Sequence, residues 1–148
     1  NVSTPLVVAG GGGGSHYYLA SQPIGGQSTE TDKSNATTGS SYGGASGGGW
    51  FADGANGTHN STGGKGWANG LIGGTKAHWD TGDGGFGGGG GSAWSPGGGG
   101  GYNGGTTPSS YGNAVPGGSG GGSYNAGTNQ SNSSDSNIGQ GYVVIEKL

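Results

Sequence analysis

The sequence has no cysteine, methionine or arginine, and it carries few charges of either sign. The lack of cysteine excludes disulfides and thiolate chemistry. Four lysines without arginine cannot form the clustered cationic surface from which phosphate binding draws its affinity, so we expect no nucleic-acid partner. Apolar runs are far shorter than the roughly 20 residues that span a bilayer, so we also expect no membrane insertion.

Apolar side chains are also scarce, whereas glycine is abundant. Only 26% of the 148 residues are hydrophobic and 45 are glycine, which excludes an ordinary hydrophobic core. Collagen requires glycine at every third residue, but here the glycines cluster in runs. Disordered chains have few aromatic residues and a high net charge, whereas this chain has four Trp, seven Tyr, two Phe and a net charge of −3. The composition therefore favours an ordered but unusual fold.

Two glycine runs dominate the middle of the sequence and are separated by the insert Ser92-Ala93-Trp94-Ser95-Pro96. Without side chains, ordered glycine can adopt the polyproline II helix, which lacks internal hydrogen bonds and must bond to its neighbours. We predict that the two runs form two antiparallel structural rods at the centre of a lattice of hydrogen-bonded helices. We expect replacement of Gly89 or Gly99 by valine to prevent folding. The rod glycines are Gly87, Gly88, Gly89, Gly90, Gly91, Gly97, Gly98, Gly99, Gly100 and Gly101.

Aromatic residues adjoin the glycine runs throughout the chain. We predict that most of them act as plugs that seal the ends of the rods. The alternative is that they are exposed and stack on sugar rings or on a partner protein. The predicted plugs are Trp50, Phe86, Trp94, Tyr102 and Tyr124.

The fold class predicted from these patterns is irregular, mostly β and polyproline II, with little or no α-helix. Strand formers occur near both ends of the chain, at about 6–9 and 142–147. We expect these two strands to pair and anchor a bundle of glycine-rich polyproline II helices spanning about 10–127. Residues 1–148 then form a single domain.

Five segments carry a resemblance to a known family: LVVAGGGGG at 6–14, GGGW at 47–50, GGFGGGGG at 84–91, GGGGGYNGG at 97–105 and GQGYVVIE at 139–146. In this order they resemble the glycine-rich domain of the anaplastic lymphoma kinase and leukocyte tyrosine kinase receptors. They also resemble related glycine-rich proteins of microbes and phages. The resemblance implies a polyproline II helix bundle attached to a small β-structure.

The functions implied by the resemblance differ among these proteins. In the receptors the domain lies in the region that binds a protein ligand, but this chain lacks their cysteines, so receptor function is not carried over. Phage adhesins use such bundles as tips, and some springtail antifreeze proteins use them to bind ice. The regular G-x-x tracts of the latter are missing here.

Six asparagines lie in N-x-S/T acceptor sequences, which is more than the composition gives by chance. They favour an extracellular, N-glycosylated protein, although a Ser/Thr/Asn-rich loop composition can produce such sequences locally. The start at Asn1 fits a processed mature chain or an excised segment. The acceptor residues are Asn1, Asn35, Asn56, Asn60, Asn129 and Asn132.

No pattern predicts catalysis, a metal or a cofactor. His16, His59 and His78 are far apart in sequence and are interpreted as turn or rim residues. Asp80 and Asp83 resemble part of a calcium loop, but the later bidentate glutamate is missing, so turn formation is the preferred interpretation. We expect no enzyme, no catalytic residues and no cofactor.

The preferred functional hypothesis is an extracellular structural protein that associates with copies of itself in a filament or surface fibre. The alternative is a binding module, receptor-like or adhesin-like, whose partner is a protein ligand or a glycan. Ice binding is a further alternative.

Overall fold

The structure is a computed structural model that describes residues 4–14, 43–108 and 117–133. These residues contain the strand β1, Val7–Val8, a 3-10 helix, Trp67–Asn69, and the strand β2, Tyr124–Asn125. No α-helix is present within these three ranges. The predictions of little or no α-helix, a small β-structure and an otherwise irregular chain are confirmed.

The two strands pair antiparallel, with Val7 opposite Asn125 and Val8 opposite Tyr124. β1 lies within the strand predicted at about 6–9, where branched side chains favour extended backbone. Its partner in the described residues is β2, which the sequence did not indicate as a strand. The predicted C-terminal strand at about 142–147 lies outside the described residues.

Most backbone hydrogen bonds join segments that are distant in sequence. Residues 43–50, which we call the central segment, are all buried. Their partners recur every three residues: Ala45 and Gly48 donate to the carbonyls of Gly91 and Gly88, at 2.9 and 2.7 Å. The residue numbers of the acceptors decrease as those of the donors in the central segment increase. The 87–91 run therefore lies antiparallel to the central segment.

The 97–101 run lies along another side of the central segment in the parallel direction. Gly98 and Gly101 donate to the carbonyls of Ala45 and Gly48, again three residues apart. The two glycine runs are therefore antiparallel to each other, as predicted, and a bond from Gly90 N–H to the Gly98 carbonyl joins them at 2.8 Å. The 97–101 run lies in the interior beside the central segment, because residues 97–100 are all buried and exchange backbone bonds with Gly14, Ala45 and Ser119.

Residues 10–14 and 117–122 extend the lattice beyond the 97–101 run. The carbonyls of Gly97 and Gly100 accept from the N–H groups of Gly14 and Gly11 at 2.9 and 2.8 Å. Gly121 in turn donates to the Gly11 carbonyl at 2.8 Å. Because glycine has no Cβ, adjacent backbones approach closely enough to exchange these bonds, so the interior consists of backbone instead of apolar side chains.

The hydrogen-bond register defines two ends of the molecule. At the start of the central segment, Gly44 N–H donates to the hydroxyl of Ser95 at 3.0 Å, so the turn carrying Trp94 lies there. At the other extremity, Trp50 N–H donates to the Tyr102 carbonyl at 2.9 Å. We call these the Trp94 end and the Trp50 end.

Candidate functional site

Aromatic rings cover the Trp50 end. Trp50, only 8% exposed, stacks on Trp67 with ring centroids 4.5 Å apart and an interplanar angle of 12°. Tyr102 is 2% exposed and stacks on Tyr124 at 4.5 Å, while Phe51 meets it edge-on at 6.0 Å. Three predicted plugs, Trp50, Tyr102 and Tyr124, thus contribute to one cluster at this end.

A surface cavity of about 190 Å³ lies between β1 and the Trp50–Trp67 stack. Its walls are apolar side chains and glycine backbone, and they contain no titratable group. The lining residues are Val7, Val8, Ala9, Trp50, Trp67, Leu71, Gly87 and Gly101.

Six exposed large apolar residues either line this cavity or are sequence neighbours of a lining residue, and we call them the apolar surface. Such a patch on a folded protein is typical of an interaction site, because its burial against a partner is favourable. Its members are Leu6, Val7, Phe51, Trp67, Ile72 and Phe86.

Phe86 corrects the plug prediction, since its side chain is 91% exposed. The following residues, Gly87 and Gly88, have φ angles of 93° and 85°, and both donate their N–H groups to the Leu71 carbonyl at 3.0 Å. Only glycine adopts such angles without strain. Backbone bonds therefore close this end of the run, and the Phe86 ring remains exposed beside the cavity.

Asp53 positions the 3-10 helix that carries Trp67. Its carboxylate accepts hydrogen bonds from Lys65 Nζ, Gly66 N and Asn69 Nδ2, each at 2.9 Å. The side-chain bonds from Lys65 and Asn69 lower the pKa of Asp53 from 3.8 to about 2, since they favour the charged carboxylate. The carboxylate thereby fixes one wall of the cavity.

The stability of the folded state should depend on pH through Asp53. Because the folded-state pKa of Asp53 is lowered, its contribution is present above about pH 3.8 and is lost as the pH falls through about 2. We expect the melting temperature of wild-type protein to fall across this window, and that of Asp53→Asn to fall less. Thermal unfolding followed by circular dichroism at pH 2 to 7 measures how the melting temperature of each protein depends on pH. An equal pH dependence in the two proteins would contradict the assignment of this effect to Asp53.

The Trp94 end brings together two histidines that the sequence separates. His59 and His78 lie against Trp94, with ring centroids 4.4 and 5.6 Å from it, and the His78 ring is nearly parallel to the indole. His59 lies in an exposed turn and His78 in a partly exposed bend, in keeping with their interpretation as turn or rim residues, and His16 lies outside the described residues. Trp94, a predicted plug, is half-exposed here, and no sequence spacing indicated the cluster.

Of the two aspartates of the incomplete calcium motif, Asp80 lies in a turn. Asp83 lies outside a turn, and its Oδ1 accepts from the backbone N–H of Lys76, seven residues earlier, at 2.8 Å. Across 4–14, 43–108 and 117–133, no group of three or more His, Cys, Asp or Glu side chains could hold a metal ion.

Four predicted glycosylation sites, Asn56, Asn60, Asn129 and Asn132, are exposed. The side-chain oxygen of Asn56 accepts from Gly63 N at 2.9 Å, and Asn132 exchanges hydrogen bonds with Asn125 and Gln130. Asn1 and Asn35 lie outside the described residues.

Comparison with known proteins gives no assignment. No protein-family model matches the chain, and no curated protein or solved structure shows significant similarity to it. In the part of the chain that the structure describes, no helix has the length and apolarity to cross a membrane. The geometry of the Trp50 end therefore provides the functional argument: an apolar aromatic surface suited to binding by burial.

Proposed function

We propose that this protein is a non-enzymatic extracellular structural protein whose rigid glycine-rich module associates with copies of itself, in a filament or surface fibre. The observation that carries the proposal is the combination of a backbone-bonded interior with a large apolar surface left exposed at one end. A rigid body with such a surface loses little conformational entropy when it associates, which favours assembly.

We further propose that the glycine segments are polyproline II helices packed as a bundle. The support is the three-residue recurrence of hydrogen-bond partners along the central segment and along the 97–101 run. A helix with three residues per turn returns the same face to the same neighbour at this interval. The strand predicted at about 142–147 belongs to this proposal as a second partner for β1.

Assembly is tested by sedimentation velocity over a hundredfold range of protein concentration, together with electron microscopy of the concentrated sample. We expect the mean sedimentation coefficient to rise with concentration, because buried apolar area drives the association. The intact mass of protein from its native source checks the proposed N-glycosylation in the same material. A single monomeric species at the highest concentration would reject the self-assembling structural role.

A binding module for a protein ligand or a glycan is the second candidate. It is supported by exposed indoles at both ends of the molecule: Trp79 is 90% exposed and Trp67 is half-exposed. Flat aromatic faces can stack on sugar rings or anchor a partner protein. Saturable glycan binding by protein that remains monomeric would favour this candidate over assembly.

A further inference from the structure

We propose that Asn69 is a site of spontaneous deamidation in the folded protein, and that its conversion to aspartate or isoaspartate releases the 3-10 helix that carries Trp67. Such a modification site is independent of self-assembly, because the reaction needs only the chain and water.

The chemistry requires an asparagine followed by a glycine. The backbone nitrogen of the glycine attacks the side-chain carbonyl carbon of the asparagine and closes a succinimide ring. The proton of that nitrogen passes through water to the amide nitrogen, which leaves as ammonia. Water then opens the ring at either carbonyl carbon and gives aspartate or isoaspartate. Glycine favours the attack because it has no Cβ to hinder it.

The chain contains three Asn–Gly pairs, and all of them belong to the residues that the structure describes. The sequence alone does not distinguish them, because the reacting groups are the same in each. Their surroundings in the fold differ. The pairs are Asn56–Gly57, Asn69–Gly70 and Asn103–Gly104.

In the first and third pairs the glycine is packed against another segment of the lattice. A Cβ on Gly57 would overlap the Gly43 carbonyl, and a Cβ on Gly104 would overlap the Gly47 carbonyl. The backbone at these positions therefore has no room to turn toward the preceding side chain. Attack at either position requires the lattice to open locally first.

The second pair lies at the surface, where the 3-10 helix ends. Asn69 and Gly70 are both exposed, and a Cβ on Gly70 would meet only side-chain atoms of Ile72, at 3.8 and 3.9 Å. The attacking N–H of Gly70 is held by a bond of 3.2 Å to the Trp67 carbonyl, in the last turn of a short helix. Helix ends open at low cost. The second pair should therefore react first.

Deamidation at Asn69 removes the contact that holds the helix. Asn69 Nδ2 donates to Asp53 Oδ1 at 2.9 Å. After conversion a carboxylate replaces this donor, so the hydrogen bond is lost and two negative charges repel each other. Isoaspartate in addition lengthens the backbone by one carbon. The helix then separates from Asp53, and Trp67 leaves its stack on Trp50.

Trypsin makes the first test direct, because the lysines of the chain divide the three pairs among the peptides 34–65, 66–76 and 77–147. Full-length protein is incubated at neutral pH, unfolded and digested, and mass spectrometry measures the replacement of amide by carboxylate at each pair. Deamidation at Asn69 should be at least about tenfold faster than at Asn56 or Asn103, which corresponds to a difference of about 1.4 kcal/mol in opening free energy. A zero-time sample corrects for reaction during digestion.

Protein kept in urea is the control for the role of the fold. All three pairs are then free of the lattice and should react at similar rates. In folded protein, equal rates at the three pairs, a faster reaction at Asn56 or Asn103, or no reaction at Asn69 would each overturn the proposed site.

The release of Trp67 is tested by the exciton signal of the stacked Trp50 and Trp67 indoles in circular dichroism. In aged wild-type protein this signal should fall in proportion to the conversion of Asn69. Fresh Asn69→Asp should give a weaker signal than Asn69→Ser, which removes the amide without adding a charge. A signal that persists after conversion, or that is equal in the two variants, would show that deamidation does not release Trp67.

Discussion

Gly47→Ala is expected to abolish the folded state, with a loss of more than about 4 kcal/mol of stability. Gly47 lies in the buried central segment and donates its N–H to the Gly105 carbonyl at 3.0 Å. A Cβ at this position would overlap the backbone carbonyl of Gly99 in the adjacent run. Because the obstacle is backbone held by its own hydrogen bonds, no side-chain movement can relieve the overlap.

Gly12→Ala is the matched control for this change. A Cβ on Gly12 meets no atom within 4 Å, and the residue lies at the exposed face of the lattice. We expect stability to be unchanged or raised by about 0.4–1 kcal/mol, because alanine restricts the unfolded chain more than glycine does. Urea unfolding followed by tryptophan fluorescence compares both variants with wild type. Similar midpoints for Gly47→Ala and Gly12→Ala would show that the segments are not packed backbone to backbone.

Tyr102→Ala is expected to cost about 3–5 kcal/mol, the second largest effect. Tyr102 is 2% exposed and its ring lies between Tyr124 and Phe51 at 4.5 and 6.0 Å, so its removal opens a cavity at the centre of the aromatic cluster. Among the described residues few other side chains are buried, so little repacking can fill the space.

The control for Tyr102→Ala is Trp79→Ala, which removes a larger but exposed ring. Its stability should remain within about 0.5 kcal/mol of wild type. Thermal and urea unfolding of both variants measure the difference. A loss for Tyr102→Ala no greater than that for Trp79→Ala would mean that the cluster at the Trp50 end does not stabilise the fold.

The candidate site could be predicted only in part. The sequence identified Trp50, Tyr102 and Tyr124 as residues next to glycine runs, and the structure places them together at one end. The sequence did not indicate that Trp67 stacks on Trp50 or that Phe86 is exposed. Whether a ring is buried depends on which run ends beside it, and this is a property of the packed lattice.

Gly89 and Gly99 illustrate the same limit within the glycine runs. The sequence treats both as equivalent rod residues. In the structure, a Cβ on Gly99 would lie against the Gly11 carbonyl and 2.7 Å from the Gly12 oxygen, whereas a Cβ on Gly89 meets the Gly85 nitrogen at 3.0 Å. Gly89 and Gly99 are chemically identical, but they differ in the backbone atoms that other segments place beside them.

The sequence by itself determined the class of interior. With 45 glycines, no cysteine and few apolar side chains, the chain must satisfy its backbone groups by bonds between segments. It also determined that β-branched residues 7 and 8 form a strand and that α-helix is absent from the described ranges. These properties follow from residue type alone.

Only the tertiary structure decided that residues 43–50 are central, that β2 pairs with β1, and that His59 and His78 meet at Trp94. The physical reason is that glycine residues carry no side chain by which one run could be distinguished from another. Which N–H meets which carbonyl is therefore fixed by the register of the whole lattice. The same register places the apolar surface at the Trp50 end. The described charged residues other than Asp53 and Lys65 lie toward the Trp94 end.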